Sequence, residues 1–286
     1  MFPDYVTAER IDWFVQNALL EDVGTGDHTS LACVPADQQS KAILKIKDDG
    51  IIAGIEMAKA IFNHIDPKHT FTQIKSDGDN ISYGETAFEI HGNTRNILKA
   101  ERLVLNTMQR MSGIATMSNR FAFEVEDLPV IILDTRKTTP LLRFLEKWAV
   151  KLGGCENYRF GLYDWIMIKD NHVEASGGIK QAIDNVHQYL ANNGLKLNIT
   201  VEVRNLVELY QAIEVGGFTR VMLDNFEIPL LEEAVDIVAG RYETEASGGI
   251  TINNVRSVAK TGVQYISSGA LTHSFQSLDL SLKIVK

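Results

Sequence analysis

Two apolar runs in this chain stop abruptly in segments rich in cations. Val130 to Leu133 leads into Arg136 and Lys137, and the stretch that ends with Trp165 to Ile168 carries Arg159 before it and Lys169 after it. Arginine is a planar fork that fits a carboxylate, whereas the lysine ammonium is a point charge suited to phosphate oxygens or to a developing negative charge. Glu202 and Asp224 close two further β-rich runs. Paired carboxylates there suit Mg2+, which takes one or two protein carboxylates plus substrate phosphates, and they can equally serve as counter-charges to the lysines. The chain as a whole is acidic, with net charge -9, so cations gathered at strand ends focus potential locally against the global sign. The expectation is a site for an anion-rich ligand.

Parallel strands are what must position these residues. From residue 130 onward, short β-rich runs alternate with amphipathic segments: Val130 to Leu133, Trp165 to Ile168, Asn198 to Val203, Arg220 to Leu223, Glu243 to Ala246 and Tyr265 to Ser267. That alternation marks βα units. Each run ends in polar chemistry, in turn Arg136 and Lys137, Lys169, Glu202, Asp224, Ser247 and Ser268. Convergence of so many strand ends favours a β/α barrel, whose sites lie at the C-terminal face; an open doubly wound sheet gathers residues mainly at one switch point. Upstream, Ile11, Phe14, Val15, Ala18 and Leu19 keep a helical period, Ala42, Leu44 and Ile46 alternate as a strand, and Ile55 to Ile65 is an apolar-rich helix. A long helical pattern from Thr94 to about Glu124 is expected to break near Ser112-Gly113, where the domain change is placed.

The string EASGGI occurs at 174–179 and again at 245–250. Both copies can be a serine N-cap with glycines opening a helix, whose free N–H groups accept an anion. The second, followed by Ser268-Gly269, fits the phosphate loops of late barrel strands; the first is read only as a helix start. His64, His69, His91 and His187 sit in ordinary helix, turn or strand contexts and are read as structural or solvated, while His172 is expected to order its own loop. Two cysteines, Cys33 and Cys155, fit a reducing compartment and cannot build a metal cluster with histidines at ligand spacing. Cys155 has no histidine close in sequence and is read as a buried thiol.

With 286 residues and 45% hydrophobic content, the chain can bury one large core or two ordinary ones. Its acidic balance argues against nucleic acid as the main partner. No apolar run approaches the roughly 20 residues of a membrane helix, and MFPDYVTAER lacks the basic start and apolar stretch of a signal peptide. A cytoplasmic protein with no membrane partner is expected.

DTRKTTP (134–140), Asn157-Tyr158-Arg159 followed by FGLYD, and IKDNH (168–172) resemble the quinolinate phosphoribosyltransferase family, also called carboxylating nicotinate-nucleotide pyrophosphorylases. Similar stretches run almost end to end: EDVGTGDHTS (21–30), AERLVLNTMQRMSGIAT (100–116), VEV (201–203), LDN (223–225), EASGGI (245–250) and SSGALTHS (267–274). The resemblance implies an α/β chain with an irregular, incomplete β/α barrel and an N-terminal α/β sandwich domain. On that plan residues 1–112 form the sandwich, 113–274 the barrel, and 275–286 return to the first domain's sheet.

It also implies a Mg2+-dependent transfer of phosphoribose from phosphoribosyl pyrophosphate to quinolinate, giving nicotinate mononucleotide, pyrophosphate and CO2. On this reading Arg136 and Arg159 bind the dicarboxylate, joined by Arg102 from a neighbouring subunit, so that the working unit is at least a homodimer with shared sites. Lys137 and Lys169 serve the phosphates and ring carboxylate, and Glu202 and Asp224 serve Mg2+ and the ribose. Ser247, Gly248, Gly249, Ser268 and Gly269 hold the 5-phosphate in a loop that His273 helps to shape. Lys137, Lys169, Glu202 and Asp224 carry the catalytic charge stabilisation. The chain departs from the family in two places. Tyr158 stands where the triplet usually has histidine, and it is expected to donate a hydrogen bond to a substrate carboxylate; Arg204 follows VEV, where an aspartate is usual. Tyr158 keeps open a paralogue of the same fold using another base, such as the relative associated with molybdate-transport operons. A non-catalytic sugar-phosphate-binding protein is the rival from another class, and the acidic pair argues against it.

Overall fold

A computed structural model describes residues 2–285. The chain divides into two compact units, one comprising Met1–Asn119, Pro140–Gly154 and Phe275–Lys286, the other Arg120–Thr139 and Cys155–Ser274. In chain order come α1 (Ala8–Val23), α2 (His28–Cys33), β1 (Gln39–Ile46), β2 (Gly50–Ile51), α3 (Ile55–Ile65), β3 (Thr70–Gln73), β4 (Asn80–Ile81), β5 (Thr86–Asn93) and α4 (Thr94–Glu124). There follow β6 (Ile131–Leu133), α5 (Arg143–Leu152), β7 (Ile166–Ile168), α6 (Asp170–Ser176), α7 (Ile179–Asn193), β8 (Ile199–Val203) and α8 (Leu206–Val215). The last are β9 (Arg220–Asp224), α9 (Ile228–Val238), β10 (Glu243–Ser247), α10 (Val255–Ala259), β11 (Tyr265–Ser267), α11 (Ala270–His273) and β12 (Leu280–Val285).

The first unit is helix on antiparallel sheet, with strand order β12-β1-β5-β3. Ala42, Leu44 and Ile46 of β1 alternate inward and are fully buried, the period-two pattern of a half-covered strand. Phe62 of α3 meets Phe71 of β3 and Phe88 of β5, at ring-centroid distances of 6.3 and 6.2 Å, which lays the apolar stripe of the helix on that sheet. The C-terminal strand returns as expected: Leu280 and Leu282 stand opposite Ile46 and Leu44 in antiparallel register.

The break expected in α4 does not occur; the helix runs unbroken through Ser112-Gly113. The small residues there serve close approach instead. Ser112 Oγ accepts from Ala53 N at 2.9 Å and donates to Ala53 O at 3.1 Å, so its hydroxyl is spent outside the helix. A side chain at Gly113 would lie 2.2 Å from Gln276 O, and one at Gly153 the same distance from Ala115 O. These contacts tie residues 113–119 and α5 into the first unit, where Glu146, fully buried, pairs with Arg110. The boundary placed at 112/113 therefore falls inside a helix, and the first unit reaches beyond it.

In the second unit, parallel strands pair in the order β6-β11-β10-β9-β8-β7. From β7 to β11 each strand neighbours the next in the chain, and the last pairs with the first, which is the cyclic order of a barrel rather than the reversal of a doubly wound sheet. The ring is open between β6 and β7. There, among the described residues, a parallel bridge from Leu133 to Glu156 flanks β6. All the expected strands of this unit are present, within a residue or so at their ends. Among the described residues no helix is long and apolar enough to cross a membrane.

Candidate active site

Because strand side chains alternate, β8 to β10 aim every second residue into the barrel. Thr200 and Glu202 share the inner face of β8, Arg220, Met222 and Asp224 that of β9, and Glu243, Glu245 and Ser247 that of β10, with Glu202 beside Met222 and Asp224 beside Ser247 in register. At the C-terminal ends a cavity of about 620 Å³ opens within this unit. Arg136, Lys137, Tyr158, Arg159, Lys169, Glu202, Asp224, Ser247, Gly248 and Gly249, all predicted from the sequence, line it. Thr135, Met167, Met222, Asn225 and Ser267 line it too and were not predicted as site residues.

Local chemistry fixes each of these groups. Fully buried Asp134 accepts from Asn157 Nδ2 at 2.7 Å and from Tyr158 N at 2.8 Å, pinning the Asn-Tyr-Arg triplet to the end of β6. Asp164 accepts from Phe160 N and Gly161 N at 2.6 and 2.9 Å, and Arg159 Nη1 donates to Trp165 O at 3.1 Å, so the FGLYD turn closes on itself and sets the arginine. His172 Nδ1 accepts from Lys169 N at 2.9 Å at the start of α6, the ordering role expected of it. Lys169 Nζ pairs closely with Glu202. Asn225, in the left-handed region at φ 57, donates from Nδ2 to Asp224 Oδ2 at 2.6 Å. A side chain at Gly248, at φ +93, would lie 2.3 Å from Asn225 Oδ1, so only glycine fits beside the aspartate's partner.

Electrostatically the cavity is unsatisfied. Arg136 Nε is buried with no hydrogen-bond partner among the described residues. Burial, and then the charge of Arg136, depress the Arg159 pKa, so two guanidiniums repel one another across a partly desolvated space. An anion between them relieves both costs.

Several expectations are corrected. Tyr158 lines the cavity, but its hydroxyl lies 2.7 Å from Thr200 Oγ1 inside the barrel, so it is already committed within the protein rather than held ready for a substrate carboxylate. The first EASGGI string is a helix start as read, but its cap is Gly178 at the head of α7 while Ser176 ends α6; in the second, Ser247 ends β10 and opens no helix. The loop after Ser247 is shaped by Asn254, which accepts from Thr251 N at 2.8 Å and donates to Gly249 O at 3.0 Å. Ser268 Oγ donates to Ile250 O at 2.8 Å and accepts from Ala270 N at 3.2 Å, which makes it a tie between loops. Gly269 and His273 stand beside Lys137, since a side chain at 269 would lie 2.8 Å from both Lys137 Cδ and His273 Nε2. Arg102 is exposed on α4 in the other unit. Arg204 pairs with Glu208 at 2.7 Å and belongs to the start of α8. Cys155 is buried and its thiol is pushed up to about 12, by burial first and then by Asp134 and Glu156, as an inert thiol requires.

Family comparisons agree with this geometry. Residues 27–112 match the quinolinate phosphoribosyl transferase N-terminal domain, and residues 114–283 match the C-terminal domain. The chain belongs to the quinolinate phosphoribosyl transferase family. It is 47% identical over 285 residues to quinolinate phosphoribosyltransferase [decarboxylating] 1b of Nicotiana tabacum, covering 94% of this chain and 81% of that one. It is 43% identical to a probable nicotinate-nucleotide pyrophosphorylase [carboxylating] of Bacillus subtilis (strain 168), covering 93% and 90% of the two chains. The solved nicotinate-nucleotide pyrophosphorylase of Francisella tularensis superposes with a TM-score of 0.91 at 37% identity over 98% of each chain. The family's fold is therefore the one observed, a sheet domain followed by a parallel α/β domain with an open barrel.

Proposed function

We propose that this chain transfers phosphoribose from phosphoribosyl pyrophosphate to quinolinate, releasing pyrophosphate and CO2 and yielding nicotinate mononucleotide for de novo NAD synthesis. The observation that carries this reading is one cavity lined by the guanidiniums of Arg136 and Arg159 together with Lys137 and Lys169. Two forks suit the two carboxylates of a planar diacid, and the lysines suit phosphates. The relatives' names, quinolinate phosphoribosyltransferase and nicotinate-nucleotide pyrophosphorylase, agree with that pairing.

No general base is needed, because the pyridine nitrogen is itself the nucleophile. Arg136 and Arg159 hold the diacid so that this nitrogen faces the anomeric carbon, and the loop of Ser247, Gly248 and Gly249, with Gly269 and His273 beside it, holds the 5-phosphate. Lys137 and Lys169 stabilise charge as the bond to pyrophosphate breaks. The alkylated, positively charged ring then accepts the electron pair of the departing carboxylate, CO2 leaves, and the ring carbon that carried it takes a proton from water. Glu202 and Asp224 offer hard oxygen donors in the same cavity. This pair would hold a Mg2+ whose remaining ligands are substrate oxygens and water. A Mg2+ held there would supply charge neutralisation for the pyrophosphate.

The test is direct. Purified protein with Mg2+ should release pyrophosphate from phosphoribosyl pyrophosphate when quinolinate is added, and not with nicotinate or nicotinamide. Equal release with either of those acceptors, or none with quinolinate, overturns the reading.

We also infer a homodimer in which Arg102 completes the partner's site, since this arginine is exposed on α4 and enters no salt bridge among the described residues. Arg102→Ala and Lys169→Ala should each be nearly inactive, and mixing them should restore activity in the heterodimer, which keeps one native site. No recovery after verified subunit exchange removes the shared site. The compartment we propose is the cytoplasm, in keeping with Cys33 and Cys155, neither of which is in a disulfide.

A further inference from the structure

Barrel interiors are ordinarily filled by layers of branched aliphatic side chains. Below this cavity the filling is polar. Arg220, at the start of β9, is buried with its guanidinium carbon 3.6 Å from the ring centre of Tyr265, 5.1 Å from that of Tyr158 and 5.3 Å from that of Trp165. Its nitrogens reach Glu243 at 2.8 and 2.9 Å and Glu245 at 3.2 Å. Directly opposite Arg220 in register on β8, the fully buried Thr200 hydroxyl accepts from Trp165 Nε1 at 2.9 Å and shares a 2.7 Å hydrogen bond with the Tyr158 hydroxyl.

Charge of this kind is costly to bury and can often be replaced by apolar residues without loss of stability, so packing alone does not account for it. Its two carboxylates also balance Arg220, which leaves the arginine little charge to lend the cavity above. What the cluster does supply is orientation. Tyr158 is gripped at its hydroxyl by Thr200, faced by the Arg220 guanidinium, and met edge-on by Trp165 at 5.7 Å. With the hydroxyl turned down into the barrel, the part of Tyr158 left to line the cavity is its ring.

We propose that the Tyr158 ring is the floor on which the planar aromatic ring of the acceptor rests, and that Thr200 and Arg220 are positioning residues that hold this floor from inside the barrel. The proposal rests on the quinolinate reading above. It assigns a specificity role to the residue that replaces the family's usual histidine, and that role needs no direct bond from the tyrosine hydroxyl to substrate.

Steady-state kinetics on the full-length protein test it, with the acceptor and phosphoribosyl pyrophosphate varied separately. Thr200→Val keeps the shape and removes the grip; it should raise the KM for quinolinate about fivefold, the weight of one hydrogen bond. The KM for phosphoribosyl pyrophosphate should stay within about twofold. Thr200→Ser, which keeps the hydroxyl, should restore the wild-type value. Tyr158→Phe should shift the quinolinate KM in the same direction, and the double variant should fall short of the product of the two single effects, because both singles remove the shared Tyr158–Thr200 bond while Thr200→Val also frees Trp165 Nε1. Arg220→Lys, which keeps the charge and loses the flat face, should shift the quinolinate KM in the same direction. An unchanged quinolinate KM in Thr200→Val and Tyr158→Phe, or an equal rise in both KM values, overturns the proposal while leaving the functional reading intact. Absence of quinolinate turnover in the wild-type protein overturns the functional reading itself, and this proposal with it.

Discussion

Arg136→Ala is expected to raise the KM for quinolinate on the order of 30-fold to several thousand-fold, the equivalent of about 2 to 5 kcal/mol for truncating one partner of a buried charge pair. The range is wide because two effects add. One is the lost fork itself; the other is the substrate carboxylate left facing a partly desolvated wall without its partner. In the free protein the Arg136 side chain already lines the cavity, so binding needs little reorganisation to collect its energy. Removing it also relieves Arg159, whose pKa is depressed by burial and by the charge of Arg136. Some of the loss is thereby returned, and the low end of the range is where that compensation is largest. Arg136→Lys restores charge without the two-pronged geometry and should recover only part of the affinity. The check is the quinolinate KM beside a circular-dichroism melt; a well-folded Arg136→Ala protein with wild-type KM removes Arg136 from the site.

Reading the sequence found the rim of the barrel and missed its interior. Lys169, Glu202, Asp224 and Ser247 were visible because each ends an apolar run, and a polar residue at that point breaks the pattern. Thr200, Arg220, Glu243 and Glu245 were hidden inside the runs themselves. β8 and β9 are buried on both faces, so the usual contrast between buried and exposed positions does not announce which side a residue takes. One signal was available. Thr200 and Glu202, Arg220 and Asp224, and Glu243, Glu245 and Ser247 recur at even spacing, so every polar residue that is not Thr244 falls on the inner face of its strand. Tyr158 shows a different limit. Its type says that it can donate a hydrogen bond, and only the fold says that Thr200 is the group it meets. In the same way Ser112-Gly113 has the composition of a helix break, yet the structure uses its small size for contacts with Ala53 and Gln276, residues far off in sequence.

The interior cluster makes the second large prediction, one of stability. Arg220→Ala should destabilise the fold by about 3 to 5 kcal/mol, the cost of removing one partner from a buried ion pair. Glu243 is partly exposed and can turn to water, but Glu245 is fully buried and cannot. Burial raises the Glu245 carboxyl above the ordinary range, opposed by hydrogen bonding from Ser267 and by the charge of Arg220. Without Arg220 it must rise further. An acid whose folded pKa lies above its unfolded value binds its proton more tightly when folded, so stability falls as pH climbs above the unfolded value, about 4.3 for glutamate. The deficit of Arg220→Ala should therefore be greatest near neutral pH and shrink as pH falls toward that value, where Glu245 is protonated in both states. Adding Glu245→Gln removes the stranded charge and should recover part of the loss at pH 7 while changing little under acid conditions. Urea unfolding of the two variants and the wild-type protein at neutral and acid pH measures this. A deficit that does not vary with pH would place the cost in the lost packing between Tyr158, Trp165 and Tyr265 rather than in the uncompensated charge of Glu245.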